Sequence, residues 1–193
     1  MDEKQLRKLY YKNGLSMTEI AVLSGCSIHK VHYWMGIHQI QRRSRSEATY
    51  IKRNPNGDPF KIQPVMTIED AWLKGLGVGL YWGEGNKANK WSVKLGNTDP
   101  TLLNYFITFL VKNFKIRKED LSFSLQIFTD IKPDEALTYW TQKLNVPLSQ
   151  FYRPTVTISG SIGTYRKKSQ YGVVTVMYHN MKLRDALIGM LPR

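Results

Sequence analysis

Apolar positions first recur at helical spacing. Leu6, Leu9 and Tyr10 share one helical face, and Asn13-Gly14 ends that element. Ser16 stands three residues before Glu19, a capping box that opens a helix through Ile20, Ala21 and Leu23. Ser24-Gly25-Cys26 reads as a tight turn, and Ser27 caps a second helix with Ile28, Val31 and Trp34 inward and Gly36 closing it. After residue 66 the period alternates between helix and strand. Residues 69–82 are helical. Residues 90–95 alternate, with Trp91, Val93 and Leu95 on one side and Lys90, Ser92 and Lys94 on the other. Thr98-Asp99-Pro100 starts a helix through Leu103, Phe106 and Leu110. Residues 121–128 alternate again, Ser122, Ser124 and Gln126 forming the polar side. Lys132-Pro133-Asp134 starts a helix through Leu137, Trp140 and Leu144. Residues 155–159 and 171–179 read as strands around a loop, and a helix over 183–191 closes the pattern.

This order predicts an α+β domain over residues 66–193 with an antiparallel-rich sheet of about four strands and flanking helices. A small all-α unit over 1–45 precedes it. Residues 46–65 read as a linker because Asn54-Pro55-Asn56-Gly57-Asp58-Pro59 clusters turn formers. The sequence contains no internal repeat.

Composition then narrows the function. Hydrophobic residues make up 42% of the 193, enough for a packed core. Twenty-eight Lys and Arg against 15 Asp and Glu leave a formal charge of +13. Residues 1–53 carry +6 of that and residues 54–193 carry +7. Such a surplus favours an anionic partner, nucleic acid first. The single cysteine, Cys26, excludes an internal disulfide framework and an all-cysteine zinc site. The polar start excludes a signal peptide. The longest apolar stretch, residues 71–82, has 12 residues and includes Lys74, whereas a bilayer span needs about 20. A cytoplasmic protein with no membrane partner is expected.

Two short helices about a glycine turn, with small Ala21 at their crossing, form the helix-turn-helix pattern. The second helix would expose Ser27, His29, Lys30, His32 and Tyr33, all able to donate to phosphates or base edges. The basic run Arg42, Arg43 and Arg45 would extend along DNA as an arm. A helical hairpin used for protein contacts is the alternative. In the second domain, the strands' polar side offers Lys90, Ser92, Lys94, Ser122, Ser124, Gln126, Thr155, Thr157 and Ser159, with no acid among them. A solvated sheet usually mixes Glu with Lys, so this face suits DNA better, although a plain wet face remains the rival. Arg166, Lys167 and Lys168 sit in the loop beside it, and Lys87, ahead of the first strand, is a further candidate DNA contact.

Residues 74–85 read KGLGVGLYWGEG. Glycine in a helix costs about 1 kcal/mol relative to alanine, so four of them need an offsetting gain. Gly75, Gly79 and Gly83 fall four apart and would form a groove for a close helix contact, with Leu76, Leu80 and Tyr81 around it. The spacing fits neither glycine-rich phosphate-loop pattern. Glu84 falls where the helix should end, and the dipole there disfavours an anion. It needs a cation: a metal such as Mg²⁺, or Lys87.

Residues 77–85, GVGLYWGEG, resemble the LAGLIDADG motif of homing endonucleases. Gly79 falls on the first glycine, Leu80 on the leucine after it, Gly83 on the small residue before the acid, Glu84 on the final acid and Gly85 on the closing glycine. Gly77, Val78, Tyr81 and Trp82 depart from the motif. The element order after it also resembles that family, over residues 66–193. The helix-turn-helix lies outside the nuclease core. The resemblance implies a homodimer, since the chain has one motif copy, built on Gly75, Leu76, Gly79, Leu80 and Gly83. It implies a divalent cation, Mg²⁺ or another, held at Glu84 with Gly83 beside it, and sheets lying in DNA major grooves. It implies that Glu84 is catalytic, assisted by a lysine drawn from Lys94, Lys167 and Lys168. The expected function is a site-specific, nucleoid-associated, metal-dependent DNA endonuclease. A non-catalytic transcriptional regulator of the same fold and an RNA-binding maturase-like protein are the alternatives.

Overall fold

The computed structural model describes residues 1–158 and 170–192. Among these residues the protein is α+β, with eight α-helices and one four-stranded mixed sheet. The chain divides into two compact units, residues 1–59 and 60–193.

The first unit is all-α. Helix α1 (Glu3–Arg7) continues into a wider turn at Lys8–Lys12. Helix α2 (Met17–Leu23) starts on the expected box: the Ser16 hydroxyl accepts from the Glu19 N–H at 3.2 Å, and Glu19 Oε2 accepts from the Ser16 N–H at 2.7 Å. These bonds to Ser16 hold the Glu19 carboxyl below its ordinary pKa. Gly25 turns the chain at φ +57, a left-handed conformation natural to glycine. Helix α3 (Ile28–Ile37) follows. Leu6, Tyr10, Ile20, Ala21, Val31, Met35 and Ile40 form the core. Ile28, expected inward, is exposed, as is Leu23 of α2, and Met35 takes the buried position instead.

The linker expectation needs correction in part. Helix α4 (Arg45–Arg53) occupies the first half of residues 46–65 and starts on a second capping box, Ser44 with Glu47. None of its side chains is fully buried; Tyr50 and Ile51 are half-buried on one side, and its few apolar residues stand among charges and turn formers that mask the helical pattern.

The second unit holds the sheet. Helix α5 (Ile68–Glu84) is followed by β1 (Val93–Asn97), α6 (Pro100–Phe114), β2 (Ser122–Phe128), α7 (Pro133–Leu144), β3 (Thr155–Thr157), β4 (Val173–Tyr178) and α8 (Met181–Gly189). The strand order is β1-β4-β2-β3. The first two pairings are antiparallel, and β2–β3 is parallel. Alternate residues Val93, Leu95, Phe123, Leu125, Ile127, Val174 and Val176 face the helices. They meet Leu103, Phe106 and Leu110 of α6, Trp140 and Leu144 of α7, and Leu183 and Leu187 of α8. The other face of the sheet carries half-buried or exposed polar side chains among the described residues, around the buried Met177.

Candidate nucleic-acid interface

In the first unit, α3 presents one polar side. Ser27, His29, Lys30, His32 and Tyr33 are all exposed, as expected. Ser27 is also the helix cap, its hydroxyl accepting from the Lys30 N–H at 3.3 Å. Lys30 Nζ lies 5.3 Å from the centre of the Trp34 ring. Arg42 and Arg45 are exposed, Arg45 as the first residue of α4 rather than part of an arm. Arg43 contradicts its assignment to DNA. Its guanidinium donates to the carbonyls of Gly14 at 3.0 Å, Leu15 at 2.9 Å and Tyr10, and it stacks 3.9 Å over the Tyr10 ring. Its backbone N–H donates to the Tyr10 hydroxyl at 2.8 Å. Five fixed donors make arginine suited to several carbonyls at once, so Arg43 ties the unit together.

In the second unit, residues 68–84 form one unbroken helix. Thr67 and Asp70 make its capping box. Leu73, Gly77 and Tyr81 fall on its buried side. A methyl group on Gly77 would lie 2.0 Å from the Phe109 ring, so α5 and α6 approach closest there. Gly75, Gly79 and Gly83 are different. They are exposed, and a Cβ on any of them would meet nothing within 4 Å. Among the described residues nothing in the packing requires glycine at these three positions. Ile68, Trp72, Gly75, Gly79 and Trp82 form an exposed stripe spaced 4-3-4-3 along α5, the spacing of a helix–helix seam. Trp72 is 56% exposed; it lies edge-on to Tyr105 on the surface and not in the core. Leu76 and Leu80 flank the stripe, half-buried. Tyr81 belongs to the core, stacked on Phe106, and burial raises its pKa.

The helix ends at Glu84. A side chain on Gly85 would collide with the Tyr81 ring and carbonyl, which reserves this place for glycine. Gly85 bridges Leu95, and the Asn86 N–H donates to the Lys94 carbonyl at 2.9 Å. The end of α5 is thereby set against the β1 edge of the sheet. Lys87 does not pair with Glu84: its Nζ donates to the Trp82 carbonyl at 2.7 Å and caps the helix. Lys87 is thus only partly available to DNA. The exposed Glu84 carboxylate has no ion pair or hydrogen bond among the described residues. No three His, Cys, Asp or Glu side chains cluster to hold a metal among those residues. Mg²⁺ takes one or two carboxylates and completes its shell with water and phosphate oxygens. A free, exposed carboxylate fits that need; Gly83 contributes main-chain oxygen alone.

The open face of the sheet follows from the register. Lys94, Met177 and Ser122 lie in one row, Gly96, Thr175 and Ser124 in the next, then Val173, Gln126 and Thr155, with Thr157 beyond. No acid belongs to it. Lys94, Ser122, Ser124, Gln126, Thr155 and Thr157 stand where the alternation placed them. Lys90 and Ser92 do not. The strand begins at Val93, because Asn89 Oδ1 accepts from the N–H groups of Trp91 (2.9 Å) and Ser92 (2.8 Å) and curls residues 89–92 into a turn. Ser92 is 4% exposed, and its hydroxyl lies 3.0 Å from His179 Nδ1. His179 Nε2 lies 3.2 Å from the Tyr152 hydroxyl. Burial, and then the Lys94 charge, lower the His179 pKa. Sequence reasoning left Thr175, His179 and Tyr152 unassigned, although the alternation over 171–179 carries 175 and 179 on one side. Ser159, Arg166, Lys167 and Lys168 lie outside the described residues, so Lys94 is the one candidate catalytic lysine within them.

No helix of the described residues is long and apolar enough to cross a membrane. No protein-family model, curated protein or solved structure matches this chain.

Proposed function

We propose that the protein is a site-specific, LAGLIDADG-type DNA-binding protein that acts as a homodimer and hydrolyses DNA phosphodiester bonds with Mg²⁺ or a similar divalent cation. The observation that carries this reading is Glu84: an exposed carboxylate, unpaired among the described residues, at the end of a glycine-striped helix and against the edge of an acid-free sheet face. An exposed acid at a helix C-terminus gains from a bound cation, because the dipole there is negative. The glycine stripe supports the dimer, because a second α5 laid along Ile68, Trp72, Gly75, Gly79 and Trp82 supplies the contact that this chain lacks.

The bound cation would polarise phosphoryl oxygens and activate water. Glu84 of each chain would hold it beside the scissile phosphate. Lys94, on the open face, would stabilise phosphate charge. Ser122, Ser124, Gln126, Thr155, Thr157 and Thr175 would read base edges in the major groove. The polar side of α3 would add affinity and target length.

A non-catalytic regulator is the second reading. The observation that favours it is the fully exposed polar side of α3, which suffices for sequence recognition without chemistry. The test is selection of duplex DNA from a random pool, followed by sedimentation of the complex. The reading expects two chains per duplex. One chain per duplex, or no selected sequence, would contradict it. Strand breaks that require Mg²⁺ distinguish the enzyme from the regulator.

A further inference from the structure

The segment joining α5 to β1, residues 85–92, is braced along its whole length. The Tyr81 hydroxyl donates to the Asn86 carbonyl at 3.4 Å, and Asn86 Oδ1 accepts from the Asn89 N–H at 3.0 Å. Arg184 of α8 donates from Nε to the Asn89 carbonyl at 2.9 Å and from Nη2 to the Lys87 carbonyl at 2.6 Å. The Asn89 side chain holds residues 91 and 92, and His179 holds Ser92. A loop so held presents its side chains at little further cost in ordering. What it presents is Trp91, 62% exposed. Its indole has no ring contact and no hydrogen bond among the described residues. Exposed Lys90 precedes it, and Lys94 begins the open face three residues later.

A rigidly mounted, uncovered aromatic ring among cations, with no acid in the segment from 85 to 97, matches the chemistry that receives nucleobases: stacking on the ring, with phosphates at the lysines. We propose that Trp91 is a base-stacking wedge, which lies against a nucleobase of the DNA on the open sheet face and unstacks it from its neighbour. This rests on the DNA-binding reading above and assigns a DNA contact to a residue that the strand alternation put on the side of Val93 and Leu95, opposite the polar one.

The test uses the full chain and its selected duplex, with 2-aminopurine placed at each position in turn. Wild-type protein is expected to raise the fluorescence several-fold at one step, the mark of an unstacked base. Trp91→Ala is expected to lose that signal and about tenfold in affinity, and Trp91→Phe to keep most of both. Equal affinity and an equal fluorescence profile for Trp91→Ala would overturn the wedge and leave the DNA-binding reading standing. Wild-type protein that binds no duplex would overturn the DNA-binding reading itself. Dissociation of the DNA-free dimer by Trp91→Ala would overturn the wedge in favour of a subunit contact. If Trp91→Ala fails to fold, Trp91→Gln makes the same comparison; failure of both would also overturn it, because an exposed wedge bears no part of the core.

Discussion

Alanine at Gly77 and alanine at Gly79 are expected to act in opposite directions, though the residues stand two apart on one helix. At Gly77 the new methyl carbon would lie 2.0 Å from Phe109 Cγ and 2.4 Å from both flanking ring carbons. Carbon atoms pack at about 3.5 Å or more, so the ring must retreat by roughly 1.5 Å. Phe109 is fully buried between Phe106 and Phe114 and has nowhere to go. Overpacking costs about 1–3 kcal/mol, and the upper end applies here. The gain in helix propensity, about 1 kcal/mol, offsets part of that. A net loss of about 2 kcal/mol follows. At Gly79 the methyl meets open space, so the single chain gains about 1 kcal/mol while the seam with a second chain is obstructed. Urea unfolding at a series of protein concentrations separates the two effects, since a dimer's transition moves with concentration. Gly77→Ala should lower the transition at every concentration. Gly79→Ala should remove the concentration dependence and sit above wild type in the dilute limit. An unchanged dimer in Gly79→Ala refutes the helix pairing, and a stabilised Gly77→Ala refutes the close approach of α5 and α6.

Two further predictions concern single side chains. Arg43→Ala strips a charged donor from the carbonyls of Tyr10, Gly14 and Leu15 and is expected to destabilise the first unit by about 3 kcal/mol; Arg43→Lys should recover little, since an ammonium cannot reach all three, and matching thermal melts for the three proteins would contradict this. His179 has its folded pKa below the ordinary value, so on acidification the unfolded chain takes up a proton that the fold resists, and stability falls as pH drops through about 6.5. His179→Gln removes that contribution; urea melts between about pH 7.5 and 5.5 whose pH dependence matches wild type would show that His179 is not the group responsible.

Local chemistry made most of the fold legible. Ser16 with Glu19, Asp99 before Pro100, and Pro133 all open helices where capping rules place them. The alternation in 121–128 gave β2 its two faces, since β2 runs regularly between its neighbours. Three features escaped for physical reasons. Helix α4 has a capping box but only a few apolar residues, and its cap Ser44 lies inside an arginine run that reads as an arm. Trp91 and Ser92 exchanged roles because an asparagine two or three residues upstream competes with the ladder for their N–H groups. Such competition is invisible to periodicity. Gly77 looked like a spacer between Gly75 and Gly79, but its requirement comes from Phe109, 32 residues away in sequence. The candidate site was legible as residue types: Glu84 at a helix end, and a polar face without acids. Tertiary pairing supplied the rest. Gly85 bridging Leu95 brings that helix end to the sheet, and His179, just after β4, links Ser92 before β1 to Tyr152 before β3.

The most direct test of the account is cleavage of the selected duplex by wild type and by Glu84→Gln, run beside their binding curves. The side chain is exposed and has no partner among the described residues, so its amide should change neither fold nor dimer. The account predicts Mg²⁺-dependent strand breaks from wild type and none from Glu84→Gln, at equal affinity. Breaks from Glu84→Gln at the wild-type rate, or tight wild-type binding with no breaks under any divalent cation, would contradict it.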